Sequence, residues 1–179
     1  HSDIHNYIDE LYQEIMRLLE ANDAVGKILG IGIGAPNANY FTGIIEEGVN
    51  LPWPTPIPLA QLVNAKFGVP VAITNDANAA AIGEMTYGAA RGMKDFIMIT
   101  LGTGVGSGIV INGQLVYGHD GFAGELGHTI MKRNNGRLCG CGRTGCLEAY
   151  CSATGVARTA REFLESRKDE PSVLRDIPT

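Results

Sequence analysis

The sequence predicts an α/β fold. Three observations carry the prediction: helix-period and strand-like segments alternate from the first residues to about Leu101, an Asn-Gly pair between two apolar runs marks a tight hairpin at Asn112-Gly113, and no internal repeat suggests a solenoid. The order is helix, strand, helix, strand, helix, strand, hairpin.

Ile4, Ile8, Leu11, Ile15 and Leu18 recur at helical spacing between Asp3 and Glu20, so this segment is an amphipathic helix with one face on a core. Asn22-Asp23 and Gly26 end it. Ile28 to Ile33 reads as a buried strand, left through Gly34-Ala35-Pro36-Asn37. The stretch from Asn37 to Pro58 carries four prolines around Trp53, and prolines fix φ without donating a hydrogen bond, so it is an ordered loop. Leu59 to Phe67 is a short helix and Val69 to Thr74 a strand; Asn75 to Tyr87 is an alanine-rich helix that Gly88 can cap. Phe96 to Leu101 is a strand, and a glycine run from Gly102 to Gly108 separates it from the hairpin strands Ile109 to Ile111 and Leu115 to Tyr117. After an irregular stretch to about Cys146, Leu147 to Glu165 is helical with a joint near Thr154-Gly155, and the charged tail beyond Ser166 reads as a solvated connection.

The chain has 179 residues, 45% apolar, with 14 basic and 19 acidic side chains and a formal charge of -5. Such a chain can bury a substantial core, and its mild negative charge gives no electrostatic reason to expect nucleic acid. No apolar run reaches the roughly 18 residues that would span a bilayer, so no membrane partner is expected. His1-Ser2-Asp3-Ile4 has neither the basic region nor the apolar run of a signal peptide, which makes the cytoplasm the default location.

All four cysteines lie between Cys139 and Cys151, the first three as C-x-C-x4-C. Such crowding suits a metal held by thiolates better than a secreted disulfide scaffold. His128, Cys139, Cys141 and Cys146 form the ligand set of a closed tetrahedral zinc site, with glycines at the positions where a short chain must curl around one ion. With all four positions filled by protein the ion is structural. Core thiols beside a surface histidine, or an iron-sulfur centre recruiting Cys151, are the alternatives. The glycine run lies between strands rather than opening a helix, which excludes the dinucleotide-binding fingerprint, and it lacks the G-K-[ST] of a P-loop. It can bring backbone N–H groups to a phosphate, or it can be a tight turn only.

With these residues in view the chain resembles the ROK family, named for repressors, open reading frames and kinases. The matching stretches are Thr74-Asn75-Asp76-Ala77-Asn78-Ala79-Ala80, Leu101-Gly102-Thr103-Gly104-Val105-Gly106-Ser107-Gly108, Gly124-Glu125-Leu126-Gly127-His128, and the run from Cys139 to Glu148. The resemblance extends from about Leu29 to Tyr150 and is strongest to bacterial glucokinases. It implies the actin-like, hexokinase-like ATPase fold, of ribonuclease H-like type, present in part: two α/β lobes closing on a cleft, with residues 1–76 the remainder of the small lobe and residues 77–179 the first part of the large lobe with its zinc loop at 128–146. A family kinase begins with a strand and a D-x-G-G-T phosphate loop, and this chain starts with the helix expected to follow, so it reads as an internal part of a longer protein, weak in ATP binding alone.

The resemblance further implies ATP-dependent phosphorylation of a hexose, most simply glucose to glucose 6-phosphate. Asp76 becomes the general base; Asn50, Asn75, Asp76, Glu125, His128 and Glu148 contact sugar; Gly102, Thr103 and Gly104 face ATP phosphate. Structural Zn2+ sits on His128, Cys139, Cys141 and Cys146, and ATP is used with Mg2+, to which no residue of this chain is assigned. A homodimer is expected on the same ground. Read without the resemblance, Asp76 at a strand-to-helix junction is first of all a helix cap, and Glu125 and Glu148 are a solvated side chain and a helix-start residue. The chief rival is a sugar-responsive repressor of the same family, which needs a DNA-binding helix-turn-helix that does not occur in these residues. A protein-binding zinc module is the third reading.

Overall fold

The computed structural model of the chain describes residues 3–48 and 51–177. They fall into two compact units, one running through Met98 and taking in Gly108–Gly124, the other made of Ile99–Ser107 and the chain from Glu125 onward.

In the first unit, α1 (Ile4–Ala21) starts at Asp3, whose carboxylate accepts the His5 N–H at 2.9 Å, as an N-cap should. Ile8 is buried, whereas Leu18 is 63% exposed, so the apolar stripe is covered toward its beginning. α1 lies against α2 (Leu59–Phe67) through a Tyr12–Phe67 ring contact at 5.0 Å and a Lys66–Asp9 ion pair at 2.6 Å. Gly68, at φ 69°, ends α2 in the left-handed conformation that glycine adopts without a Cβ penalty.

β1 (Ile31–Gly34) pairs in parallel with β4 (Val71–Thr74), Ile31 opposite Val71 and Gly34 opposite Thr74. Both strands start later than the apolar pattern suggests. The ladder opens where the Pro70 carbonyl accepts the Ile31 N–H at 2.9 Å, and Leu29, read from the sequence as part of a buried strand, is 91% exposed. Between them, β2 (Ala38–Asn39) and β3 (Ile44–Ile45) form a short hairpin, and reciprocal Ile45–Ile57 backbone bonds of 2.9 and 3.0 Å close the proline-rich loop onto it. Ile8, Ala38, Ile45, Ile57, Val63 and Ile73 make the core here.

α3 (Asp76–Tyr87) follows β4 directly. Its alanines permit close approach: a Cβ built on Gly34 would stand 3.0 Å from the Ala79 Cβ, and one on Gly108 would stand 2.6 Å from the Ala81 Cβ. β5 (Phe96–Leu101), β6 (Val105–Ile111) and β7 (Gln114–Leu115) form a three-stranded sheet in that order. Asn112 at φ 53° and Gly113 at φ 73° supply the two left-handed residues that a type I′ hairpin requires. Since β6 begins at Val105, only Gly102–Gly104 of the glycine run is a turn, and the remainder is strand.

The second unit holds a 3₁₀ turn at Leu126–His128, then α4 (Glu148–Cys151) and α5 (Ala153–Ser166). The joint between the helices is Ser152, two residues earlier than the sequence suggests, because its hydroxyl caps α5 by accepting the Gly155 N–H at 3.1 Å. The tail is tied down as well: the Arg175 guanidinium donates to the Leu164 and Arg167 carbonyls at 3.2 and 2.6 Å. No described helix is long and apolar enough to cross a membrane.

Candidate functional site

At the β4–α3 junction the chain leaves the sheet with Asn75 extended (φ -56°, ψ 146°) and turns into the helix at Asp76. The cap is Asn75, whose Oδ1 accepts the Ala77 N–H at 2.8 Å; Asp76 Oδ1 shares that donor at 2.8 Å, and the Asp76 side chain is exposed. The helix start therefore does not need Asp76 as its cap residue.

Elsewhere in this unit, Asn39 fastens the loop that runs toward Gly124-Glu125. Its Nδ2 donates to Glu46 Oε1 and to the Asp120 carbonyl, each at 2.8 Å, while Oδ1 accepts the Phe41 N–H at 2.9 Å. Gly121, at φ 91°, allows the approach, for a Cβ there would stand 2.7 Å from Asn39 Oδ1. Nothing in the spacing of Asn39 advertises this clamp. Asn50, expected to contact sugar, lies outside the described residues.

The second unit contains Glu125, His128, Glu148, the glycine turn and the cysteines. The loop between His128 and Cys146 is held by backbone pairing rather than by helix: Leu138 bridges Thr144, Ile130 bridges Cys146, and the Cys139 N–H donates to the Arg143 carbonyl at 2.8 Å. Gly145, at φ 84°, lies so close to the Lys132 carbonyl that a Cβ would collide with it.

The ligand atoms of His128, Cys139, Cys141 and Cys146 all lie within 4.8 Å of one another. Cys139 Sγ is 3.7 Å from His128 Nδ1, and Cys141 Sγ is 3.7 Å from Cys146 Sγ. Tetrahedral zinc, with Zn–S of about 2.3 Å and Zn–N of about 2.0–2.1 Å, sets such atoms roughly 3.5–3.8 Å apart, so both of these pairs match its spacing and the set, within 4.8 Å throughout, is of a size that can close on one ion. The histidine faces the cluster through Nδ1, which leaves Nε2 on the far side of the ring. Cys151 is outside the group, so the all-cysteine alternative is not what the fold assembles.

Cys139 and Cys141 sit in different surroundings. Burial pushes Cys139 up to about 12, whereas the Arg143 N–H, the largest influence on Cys141, draws that exposed thiol down to about 6. A bound cation would hold all three as thiolates, replacing the burial cost of charge by coordination. Arg143 also donates to the His128 carbonyl at 3.0 Å, which joins the loop tip to the histidine.

Glu148 is the first residue of α4, two positions after Cys146. Its Oε2 accepts the Val105 N–H at 2.9 Å and its Oε1 lies 3.5 Å from Cys139 Sγ. Glu125 sits just ahead of the 3₁₀ turn, and its carbonyl accepts the His128 N–H at 3.1 Å. The fold thus brings Glu148, the glycine turn and the metal cluster together within this unit, while Asn75 and Asp76 belong to the first. The Val105–Glu148 bond, across 43 positions, has no local sequence signal.

The ROK family profile matches residues 3–177. A glucokinase of Halalkalibacterium halodurans is 44% identical over 159 residues, which is 88% of this chain and 48% of that protein. Among solved structures, a ROK family glucokinase from Streptomyces griseus in complex with glucose and AMPPNP superposes with a TM-score of 0.69 at 35% identity, covering 90% of this chain and 51% of that one. A ROK family transcriptional regulator, homolog of the E. coli MLC protein, superposes at 0.77 with 26% identity over 96% of this chain and 43% of that one. The chain spans about half the length of the curated relatives it matches. Its fold is the hexokinase-like, actin-like α/β fold in part, with a His/Cys cluster able to chelate a metal ion at residues 128–146, and the chain belongs to the ROK family.

Proposed function

We propose that this chain carries the hexose-binding and phosphate-facing parts of an ATP-dependent hexose kinase whose preferred acceptor is glucose. The observation that supports this best is the β4–α3 junction: capping is provided by Asn75, and Asp76 presents an exposed carboxylate at the first helical position. In the transfer, the hexose hydroxyl oxygen forms a bond to the γ-phosphorus as the bond from that phosphorus to ADP breaks, and the hydroxyl proton passes to Asp76. Asp76 Oδ1 is shared with the Ala77 N–H, so the second oxygen takes the proton.

In this reading Asn75, Glu125, Glu148 and His128 hold sugar hydroxyls, His128 through Nε2, with Asn50 a further contact. Gly102, Thr103 and Gly104 offer N–H groups to phosphate. The zinc ligands are His128, Cys139, Cys141 and Cys146, and the ion would cross-link a loop with little regular structure. ATP is used with Mg2+, for which this chain supplies no assigned ligand. We retain residues 1–76 and 77–179 as the shares of the two lobes, and a homodimer as the assembly.

The likeness to a ROK transcriptional regulator supports a second reading, a sugar sensor that binds but does not phosphorylate. Phosphate transfer by the full-length gene product, measured across glucose, fructose, N-acetylmannosamine and N-acetylglucosamine, separates the two. We expect glucose to be preferred and Asp76→Asn to lower kcat roughly 10²–10⁴-fold. Preference for another of these sugars corrects the substrate, and no transfer with sugar binding intact gives the sensor reading.

A further inference from the structure

Glu148 divides its two oxygens between different tasks. Oε2 takes the Val105 N–H at 2.9 Å, and Val105 is 4% exposed, so water does not compete for that donor. The neighbouring Gly104 is packed onto the same oxygen so closely that a Cβ there would stand 2.6 Å from it. The glycine turn is fixed at its other end too: the Gly102 carbonyl accepts the Ala153 N–H at 2.9 Å, from the first residue of α5. On the opposite side, the Val105 carbonyl lies against Gly127, where a Cβ would collide, one residue before His128. The Leu126 N–H donates to Ser107 Oγ at 3.3 Å. The glycine turn and the first residues of β6 are therefore held at four points, by Glu148, Ala153, Gly127 and Leu126.

From this geometry we propose that Glu148 is a positioning residue for the glycine turn: its Oε2 sets the Gly104-Val105 backbone, so phosphate binding by the turn is coupled to the hexose-side carboxylate. The proposal rests on the kinase reading for its functional consequence, though the mechanical link can be tested by itself. Oε1, which lies 3.5 Å from Cys139 Sγ, is the oxygen assigned to the sugar. The side chain thereby couples the two substrates of one reaction, and the coupling runs both ways, since what the turn does to the carboxylate is returned by what the carboxylate does to the turn.

The test uses the zinc-loaded full-length protein and three variants. Loss of a charge-assisted hydrogen bond to a sheltered N–H is worth about tenfold or more in the opening equilibrium. Glu148→Ala is therefore expected to lower hydrogen-exchange protection of the Val105 amide by about tenfold, and to raise KM for ATP along with KM for hexose. Glu148→Gln keeps one carbonyl oxygen for Val105, so Val105 protection and KM for ATP stay within about twofold of wild type while KM for hexose rises. Gly104→Ala acts from the turn, pushing the carboxylate aside, and is expected to raise KM for hexose. The idea is overturned if Glu148→Ala leaves Val105 protection unchanged, if it raises KM for hexose alone, or if Gly104→Ala leaves KM for hexose untouched. Should the protein transfer phosphate to no sugar, the kinase reading fails, and Val105 exchange together with equilibrium binding of ATP still decides the link.

Discussion

Arg137 holds Tyr150 from two directions: its guanidinium carbon lies 4.6 Å from the ring centroid, and its own backbone N–H donates to the phenol oxygen at 2.9 Å. The same guanidinium donates to the Ala149 and Gly155 carbonyls at 3.0 and 3.1 Å and to Glu162 at 2.6 Å, with the side chain 9% exposed. One side chain thus ties the entry of the metal loop, two residues before Cys139, to the joint between α4 and α5.

Arg137→Ala leaves two carbonyls and a ring face without their partner. We expect a loss of about 2–4 kcal/mol in thermal or denaturant unfolding, with Arg137→Lys recovering less than half, since an ammonium cannot reproduce the planar fork. Glu162→Gln, at the exposed end of the network, is expected to leave Tm nearly unchanged. Equal losses for Arg137→Ala and Glu162→Gln would show the network to be the source of the stability rather than the clasp.

Metal content should be one zinc per chain. Chelation is expected to abolish exchange protection at the Cys139, Gly142 and Gly145 amides, whose acceptors are all within the metal loop. Amides of β1 and β4 should keep theirs, because that ladder belongs to the other unit and its own apolar core. Uniform loss across the chain would mean that the two units unfold as one.

Two glycine substitutions separate backbone need from mere tolerance. Gly145→Ala places a methyl group at φ 84° against the Lys132 carbonyl and should cost about 2 kcal/mol or more. Gly140→Ala, with nothing within 4 Å of the added carbon, should change stability by less than about 0.5 kcal/mol. Denaturant midpoints of the zinc-loaded variants provide the comparison.

Ile73→Ala opens a cavity at a side chain that is 1% exposed and is expected to cost about 2–5 kcal/mol. Ile97→Ala, at a side chain 56% exposed, should be near neutral in the same unfolding experiment.

Most of the element order was legible because it depends on local chemistry. The Ile and Leu spacing of α1, the bounds of α2 and the Asn112-Gly113 turn need only near neighbours, and the structure has them where the pattern puts them. The early ends of β1 and β4 were misplaced because apolar content does not say where a ladder partner begins; the Pro70 carbonyl decides that. The joint at Ser152 was shifted for a similar reason, since a serine cap competes with a visible glycine three residues on. At the site, the His/Cys cluster able to hold a metal was readable from the type and crowding of its four residues. The clamp by Asn39, the clasp by Arg137 and the bond from Val105 to Glu148 were not, because each joins residues far apart in sequence through side chains whose type is ordinary.

The three thiols of the metal cluster are unequally sheltered, Cys139 at 5% and Cys146 at 0% exposure while Cys141 is open to solvent. Traffic of the ion therefore has a direction. Cys141 is the first ligand an incoming cation meets and the first a departing one releases, so exchange with a competing chelator should be governed by this single surface sulfur, long before the buried pair lets go.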